Sequence, residues 1–144
     1  IGEETDNAIM WANMLNRAKK EETLDGKNVY PLFTQSVASF YLKKYEDSVR
    51  AFEKVEQRLP RRMLWYQIEP ILAYRELGDR KRMFQIIDNI LNNGNRAYSE
   101  LYQIRGEIYL EQNNTTAAKH EFEQALFYNK NFKLAKESLD HLSK

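Results

Sequence analysis

The chain contains no cysteine among its 144 residues. This absence excludes disulfides, thiolate metal sites and a cysteine nucleophile within the chain, although it does not determine the cellular compartment. Glycine and proline are also scarce, at five and three residues, and no Gly-rich phosphate-binding loop is present. No apolar run approaches the ~18 residues that a membrane-spanning helix needs. The 22 basic and 21 acidic residues nearly cancel, which argues against a nucleic-acid surface.

The two histidines give no support for a catalytic or metal site. His120 falls between two predicted core positions, so we expect it to face solvent, and His141 lies near the end of the sequence. The stretch HEFEQ lacks the second histidine of a zinc-binding HExxH pattern. A row of carboxylates, Glu100, Glu107 and Glu111, shares one helical face, which is typical of a solvated surface. We therefore predict no enzyme activity, no cofactor and no metal site.

The spacing of the apolar residues predicts an all-α protein. Apolar side chains recur at i, i+3, i+4 and i+7 and almost never at i, i+2. We predict eight helices: 5–20, 29–43, 46–58, 62–77, 80–92, 97–112, 115–128 and 131–143. The connections are short apart from the one over 21–28, which indicates antiparallel neighbours. Pro70 falls inside the fourth helix and should kink it or restart it near residue 70.

A repeat of 35 residues runs through the sequence. Three ladders of equivalent positions show it: Ser48, Met83 and Ala118; Phe52, Ile87 and Phe122; Val55, Ile90 and Ala125. Tyr74 and Tyr109 keep the same spacing, and Phe40 precedes them if the first turn is one residue short. Because the ladders coincide, the sequence predicts three copies of a helix–turn–helix unit.

The third copy carries the clearest motif. It consists of an aromatic residue, a small one four positions later, a tyrosine, and then Ala, Phe and Ala on the second helix: Tyr102, Gly106, Tyr109, Ala118, Phe122 and Ala125. This pattern resembles the tetratricopeptide repeat (TPR) family. The resemblance covers about residues 29–130, and it departs from the family at Arg105, where Leu is preferred. It implies an α-α superhelix, in which Gly106 is small because two helices cross at close range.

The resemblance also predicts how the chain is organised. We expect one domain over 1–144, made of an N-terminal capping helix and loop (1–28), three repeats (29–130) and a C-terminal capping helix (131–144). The capping helix should place Phe132, Ala135, Leu139 and Leu142 on one stripe. Because the first residue is Ile1 and the first helix lacks a partner, we expect a fragment of a longer protein.

In TPR proteins the first helix of each unit lines a concave groove that binds peptide segments of partners. Mapping by the repeat gives these groove residues here: Thr34, Ala38, Tyr41, Trp65, Ile68, Leu72, Arg75, Glu100, Gln103, Glu107 and Leu110. The mixture suits a segment with an apolar anchor facing the first two units and basic residues facing the third. We expect a monomer that binds a protein or peptide, with no nucleic-acid or membrane partner.

Other interpretations remain open. The stripe Trp65, Ile68 and Leu72 could belong to the core instead of a groove. The stretches WYQIEPILAYRELGD and ILNNGNRAYSELYQIRGEIYLEQ look like TPR tails that follow a papain-like, bacteriocin-processing-type peptidase domain in some bacterial proteins. The chain would then be an accessory module, with the catalytic Cys and His upstream. A 35-residue helical repeat is also the length of the pentatricopeptide family, which reads single-stranded RNA, but the basic track that this requires is missing.

Overall fold

The computed structural model describes residues 2–64 and 67–144, and within these ranges the chain forms helices and no strand. The helices are α1 (Gly2–Leu24), α2 (Tyr30–Tyr41), α3 (Tyr45–Val55), α4 (Arg61–Leu64), α5 (Glu69–Glu76), α6 (Arg80–Asn93), α7 (Ser99–Glu111), α8 (Thr115–Tyr128) and α9 (Lys133–Leu142). The prediction of an all-α protein is confirmed for this part of the chain.

Two predicted helices differ most from the observed ones. Helix α1 continues to Leu24, so the predicted connection over 21–28 is wrong at its start, and the helix is followed by a turn held by Asp25. The predicted helix 62–77 is interrupted and restarts at Glu69, as expected from Pro70. Pro70 lies in the first turn of α5, where its missing N–H removes no helical hydrogen bond.

Internal contacts divide the chain into two compact units, with the boundary inside α6. Unit 1 ends at Met83 and unit 2 begins at Phe84. In unit 1, α2 packs against α1, α3 and α5, and α3 also packs against α5. In unit 2, α8 packs against both α7 and α9. The predicted stripe of α9 is confirmed, since Ala135 is fully buried while Lys133 and Lys136 are exposed.

The same left-handed turn occurs three times, at Lys43, Gly78 and Asn113, which are 35 residues apart in sequence. Their φ angles are 62°, 75° and 59°. Each lies just after the C-terminal end of a helix, and the following amide donates to a carbonyl of the last turn: Lys44 to Ser39 (2.8 Å), Asp79 to Tyr74 (2.9 Å) and Asn114 to Tyr109 (2.8 Å). This is the Schellman arrangement, which ends a helix and reverses the chain.

The three turns have the same length, and this corrects one detail of the sequence alignment. The residue that corresponds to Tyr74 and Tyr109 is Ser39 and not Phe40, so the first turn is not one residue short. The residue after the left-handed one caps the next helix in two cases. Asp79 accepts a hydrogen bond from the Arg82 N–H, and Asn114 accepts one from the Ala117 N–H.

Small residues stand where paired helices come closest. A Cβ atom added to Gly106 of α7 would lie 2.5 Å from Cε1 and 2.8 Å from Cδ1 of Phe122 on α8. Phe122 is fully buried, so its ring is enclosed by other protein atoms and cannot turn out to solvent without displacing them. Ala118 and Ala125, on the same helix, are also fully buried. The prediction that Gly106 lies at a close helix contact is confirmed.

A polar version of this contact joins α2 and α3. The hydroxyl of Ser36 donates to the Ser48 carbonyl at 2.9 Å, and the hydroxyl of Ser48 donates to the Ser36 carbonyl at 2.7 Å. Both side chains are buried, so the two hydroxyls are satisfied only because the two backbones lie close together.

Gly106→Ala should destabilise the protein, although alanine is the better helix former by about 1 kcal/mol. We expect the free energy of unfolding in urea to fall by about 1–3 kcal/mol, because the new methyl group would overlap the buried Phe122 ring. Gly26→Ala is the control, since a Cβ there meets nothing within 4 Å. A Gly106→Ala variant as stable as the parent would contradict the close contact.

Lys43→Gly should stabilise the protein, because Lys43 holds a left-handed conformation that costs a residue with a Cβ about 1–2 kcal/mol. Part of that gain is offset by the greater freedom of glycine in the unfolded chain, so we expect a net rise of about 0.5–1 kcal/mol in the unfolding free energy. Lys43→Ala removes the same side chain but keeps the strain. Equal stabilities of the two variants would refute this explanation.

Candidate functional site

A cleft of about 390 Å³ lies between α7 and α9 in unit 2. Helix α7 contributes Gln103 and Glu107. The other lining residues come from α9 and the residues that follow it: Leu134, Glu137, Ser138, Asp140, His141 and Lys144. The volume falls in the range that holds a side chain or a small ligand.

Gln103 joins the two walls of the cleft. Its side chain is 3% exposed, and its amide nitrogen donates to Ser138 Oγ at 3.0 Å and to Glu107 Oε1 at 3.4 Å. The single hydroxyl proton of Ser138 goes to the Leu134 carbonyl at 2.9 Å, so Ser138 must accept from Gln103. The amide oxygen of Gln103 has no hydrogen-bond partner among the described residues. Gln103 therefore fixes α9 to α7 and leaves one acceptor unused.

The charges around the cleft are mainly negative. The carboxylates of Glu107, Glu137 and Asp140 line it, and Lys144 supplies the only lysine or arginine among the lining residues. Lys133 lies 3.8 Å from Glu137, but both side chains are more than half exposed, so this ion pair is weak. The arrangement is suited to accept hydrogen bonds and to attract a cation.

The opposite side of α7 is fixed by Arg105. Its Nε lies 2.7 Å from Glu121 Oε2 on α8, and its Nη1 lies 2.7 Å from Asp88 Oδ1 on α6. Burial alone would lower the pKa of the Arg105 guanidinium, but the hydrogen bond and charge of Glu121, with the charge of Asp88, raise it. This explains an arginine at a position where an apolar residue was expected, since it holds three helices of unit 2 together.

Tyr102 supports the same side of α7. Its hydroxyl donates to the Arg96 carbonyl at 2.8 Å, and its ring stacks on Tyr128 with centroids 5.4 Å apart. Burial, with the neighbouring Tyr128, raises the pKa of Tyr102 to about 12. With Tyr102 and Arg105 held in place, α7 presents the next residue, Gln103, and the half-buried Glu107 to α9.

Unit 1 has a second polar–aromatic surface at the end of α2. Tyr41 is 45% exposed and stacks on Trp11 of α1, with centroids 4.4 Å apart and an interplanar angle of 12°. Its hydroxyl donates to Glu69 Oε1 on α5 at 3.2 Å. Burial, followed by the charge of Glu69, raises the pKa of Tyr41. Beside this pair lies an open cleft of about 450 Å³ whose lining includes Trp11, Tyr41 and Lys43.

The predicted groove residues of unit 1 differ in their exposure to solvent. Tyr41 is exposed, whereas the side chains of Thr34, Ile68, Leu72 and Arg75 are half-buried. Ala38 is fully buried, so its methyl group is in the core and cannot contact a partner. Trp65 lies outside the described residues. The structure brings Tyr41 next to the start of α5, where the predicted residues Ile68 and Leu72 also occur.

In unit 2 the predicted residues divide in the same way. Gln103 and Glu107 are brought together in the cleft by their hydrogen bond. Glu100 is exposed and Leu110 is half-buried, and neither lines the cleft. Gln103 is buried in the wall of the cleft, so its role there is the hydrogen bonds of its side-chain amide and not an exposed contact surface.

Sequence reasoning did not identify the residues that α9 contributes. It assigned α9 only to a cap, whereas the structure places Glu137 and Asp140 of this helix, both exposed, at the cleft. One signal was available: Gln103 and Ser138 are 35 residues apart, so they occupy equivalent repeat positions. The stack of Trp11 on Tyr41 was not predicted either.

Both histidines are exposed, as predicted for His120. Outside residues 1, 65 and 66, no three His, Asp or Glu side chains converge in a way that could hold a metal ion. None of the helices in the described ranges is long and apolar enough to cross a membrane.

Comparisons with known proteins add no family assignment. No protein-family model matches the chain, and a search of curated proteins gives no match.

Arg105→Met should cost about 3–5 kcal/mol of unfolding free energy, because it leaves the carboxylate of Glu121, which is 8% exposed, without its cation. The double variant Arg105→Met, Glu121→Leu should recover most of that loss, since no buried charge remains. A double-mutant cycle in urea measures the coupling energy between Arg105 and Glu121.

Asp88→Asn is the control for the second ion pair and should change the unfolding free energy by less than about 1 kcal/mol, because Asp88 is 54% exposed. Additive effects of the Arg105 and Glu121 substitutions would contradict the buried ion pair.

Proposed function

We propose that the chain is a non-catalytic protein-interaction module of the TPR type, an α-α superhelix that binds a peptide segment of a partner protein. The observation that carries the proposal is the recurrence of one left-handed helix–helix turn at Lys43, Gly78 and Asn113, with a constant spacing of 35 residues. A chain that repeats the same helical hairpin at a fixed period builds a stack of helix pairs, and such stacks expose the first helix of each pair for binding.

The packing of the helix pairs supports the proposal. Gly106 and Phe122 occupy the positions at which the TPR pattern has a small residue and a phenylalanine, and they are in close contact. In the first pair, Ser36 and Ser48 meet at the corresponding crossing. Close crossings of this kind let short helices form a compact pair whose remaining faces are available to partners.

The surfaces of the two units support binding of a peptide. In unit 1 the Tyr41–Trp11 stack offers an exposed aromatic surface, a residue class that is enriched at protein interfaces. In unit 2 the cleft between α7 and α9 offers hydrogen-bond acceptors and carboxylates. An apolar or aromatic residue of a partner would complement the surface of unit 1, and basic residues would complement the cleft of unit 2. The negative cleft disfavours the phosphates of a nucleic acid.

Selection from a displayed random peptide library against the whole chain tests this function. We expect recurrent peptides whose binding is saturable, and whose addition shifts backbone amide signals in α7 and α9 or around Tyr41. Glu107→Lys should weaken the peptides that bind unit 2 about tenfold or more, which corresponds to about 1.4 kcal/mol, because it reverses a cleft charge.

Glu123→Lys is the matched control, because Glu123 is an exposed residue of α8 that does not line the cleft. It should leave binding unchanged. Failure to enrich any peptide over the bare support, or signal shifts confined to other surfaces, would refute the proposed function.

A further inference from the structure

A short segment between α7 and α8 carries a modification motif. Its sequence, Asn113-Asn114-Thr115-Thr116, contains the pattern Asn-x-Thr twice, once from Asn113 and once from Asn114. No other asparagine of the chain is followed by serine or threonine two positions later. Asn-x-Ser/Thr, with any residue but proline in the middle, is the acceptor pattern for N-linked glycans, and it belongs in a surface loop or turn. The pattern is therefore informative only if this segment lies on the surface.

The segment is a surface turn. Helix α7 ends at Glu111 and α8 begins at Thr115, and every residue over 111–116 is exposed. Asn113 itself has the left-handed conformation described above, with a φ of 59°. A glycan is bulky and hydrophilic, so it has to extend into solvent. A sugar attached in this turn has room to do so, because the turn lies outside the buried core of unit 2.

The turn depends on backbone groups and not on the side chain of Asn113. The Asn113 N–H donates to the Leu110 carbonyl at 3.0 Å, and the next N–H makes the Schellman bond already described. In the two equivalent turns the same position is Lys43 or Gly78, which differ in size and charge. Modification of the Asn113 side-chain amide therefore leaves the hydrogen bonds of the turn intact.

The two overlapping patterns are not equivalent in the structure. Asn114 is the N-cap of α8, and its Oδ1 accepts the Ala117 N–H at 3.2 Å, which holds this side chain against the helix. The pattern that starts at Asn114 ends at Thr116, the second residue of α8, whereas the pattern that starts at Asn113 ends at the first. An enzyme that reads the asparagine together with the hydroxyl therefore has to unwind less of the helix to reach Asn113.

We propose that Asn113 is a site of N-linked glycosylation. The donor is an oligosaccharide linked to a lipid pyrophosphate, and an oligosaccharyltransferase catalyses the transfer. The Asn113 Nδ2 bonds to C1 of the sugar, the bond from C1 to the pyrophosphate oxygen breaks, and the amide gives up one proton as the lipid pyrophosphate leaves. Asn114 stays unmodified and keeps its role as the cap of α8.

Peptide mapping of the protein from its own source tests whether the site is used. We expect the peptide that contains Asn113 to carry a glycan. Peptide N-glycosidase, which releases the glycan and converts the modified asparagine to aspartate, should mark position 113 and leave Asn114 unchanged. A native peptide that carries no glycan would overturn the proposal.

Expression of the whole chain behind a secretion signal in glycosylating host cells separates the two patterns, because chain recovered from the medium has passed the enzyme. Thr115→Ala breaks the pattern at Asn113 and keeps the one at Asn114, since residue 116 is still threonine. Thr116→Ala is the matched control, because it breaks only the pattern at Asn114. We expect the parent and Thr116→Ala to carry one glycan, on Asn113, and Thr115→Ala to lose it.

Thermal unfolding of both variants checks that they fold alike, as expected for exposed residues in the first turn of α8. A secreted parent without a glycan, a glycan on Asn114 of the parent, or undiminished glycosylation of Thr115→Ala would each overturn the proposal. The outcome is separate from that of the proposed function. A chain glycosylated on Asn113 that selects no library peptide would support this site and refute the interaction module, and an unglycosylated chain that selects peptides would do the reverse.

Discussion

The close approach of paired helices is the constraint on which the rest of this structure depends. In α7 and α8 the contact is possible only because Gly106 has no Cβ to overlap the buried Phe122 ring. In α2 and α3 the same need is met by Ser36 and Ser48, whose hydroxyls bond to each other's backbone carbonyls. Dispersion and hydrogen bonding both fall off steeply with distance, so a larger residue at either crossing would weaken the whole helix pair.

The turns between paired helices make these crossings possible, and the sequence predicted the turns only in part. The 35-residue ladders indicated three helix–turn–helix units, but the sequence alignment set the first turn one residue short. That Lys43 adopts a left-handed conformation could not be predicted, because lysine has no preference for it and tertiary packing imposes it. The restart of the helix at Glu69 was predictable because proline blocks a helix interior but fits a first turn.

The candidate site was harder to predict than the fold. Repeat spacing placed Gln103 and Glu107 on a binding face, and the structure puts both in the cleft. It also included Ala38, which is in the core, because spacing alone cannot distinguish the exposed edge of a helix stripe from its buried centre. Glu137 and Asp140 were missed because charged residues on a terminal helix look the same in sequence whether they face solvent or border a cleft.

In unit 2 the fold and the site are controlled by the same helix. Helix α8 packs against both α7 and α9, so the two walls of the cleft are each positioned from it. The close contact of Gly106 with Phe122 sets the distance from α8 to α7, while the Gln103–Ser138 hydrogen bond sets the separation of α7 from α9. Glu107 directly follows Gly106, and successive helical residues point about 100° apart. The packing of Gly106 against α8 therefore also sets the position of Glu107 at the cleft. A substitution that pushes α7 away from α8 would lower the stability of unit 2. It would also change the distance between the hydrogen-bond acceptors on the two walls of the cleft.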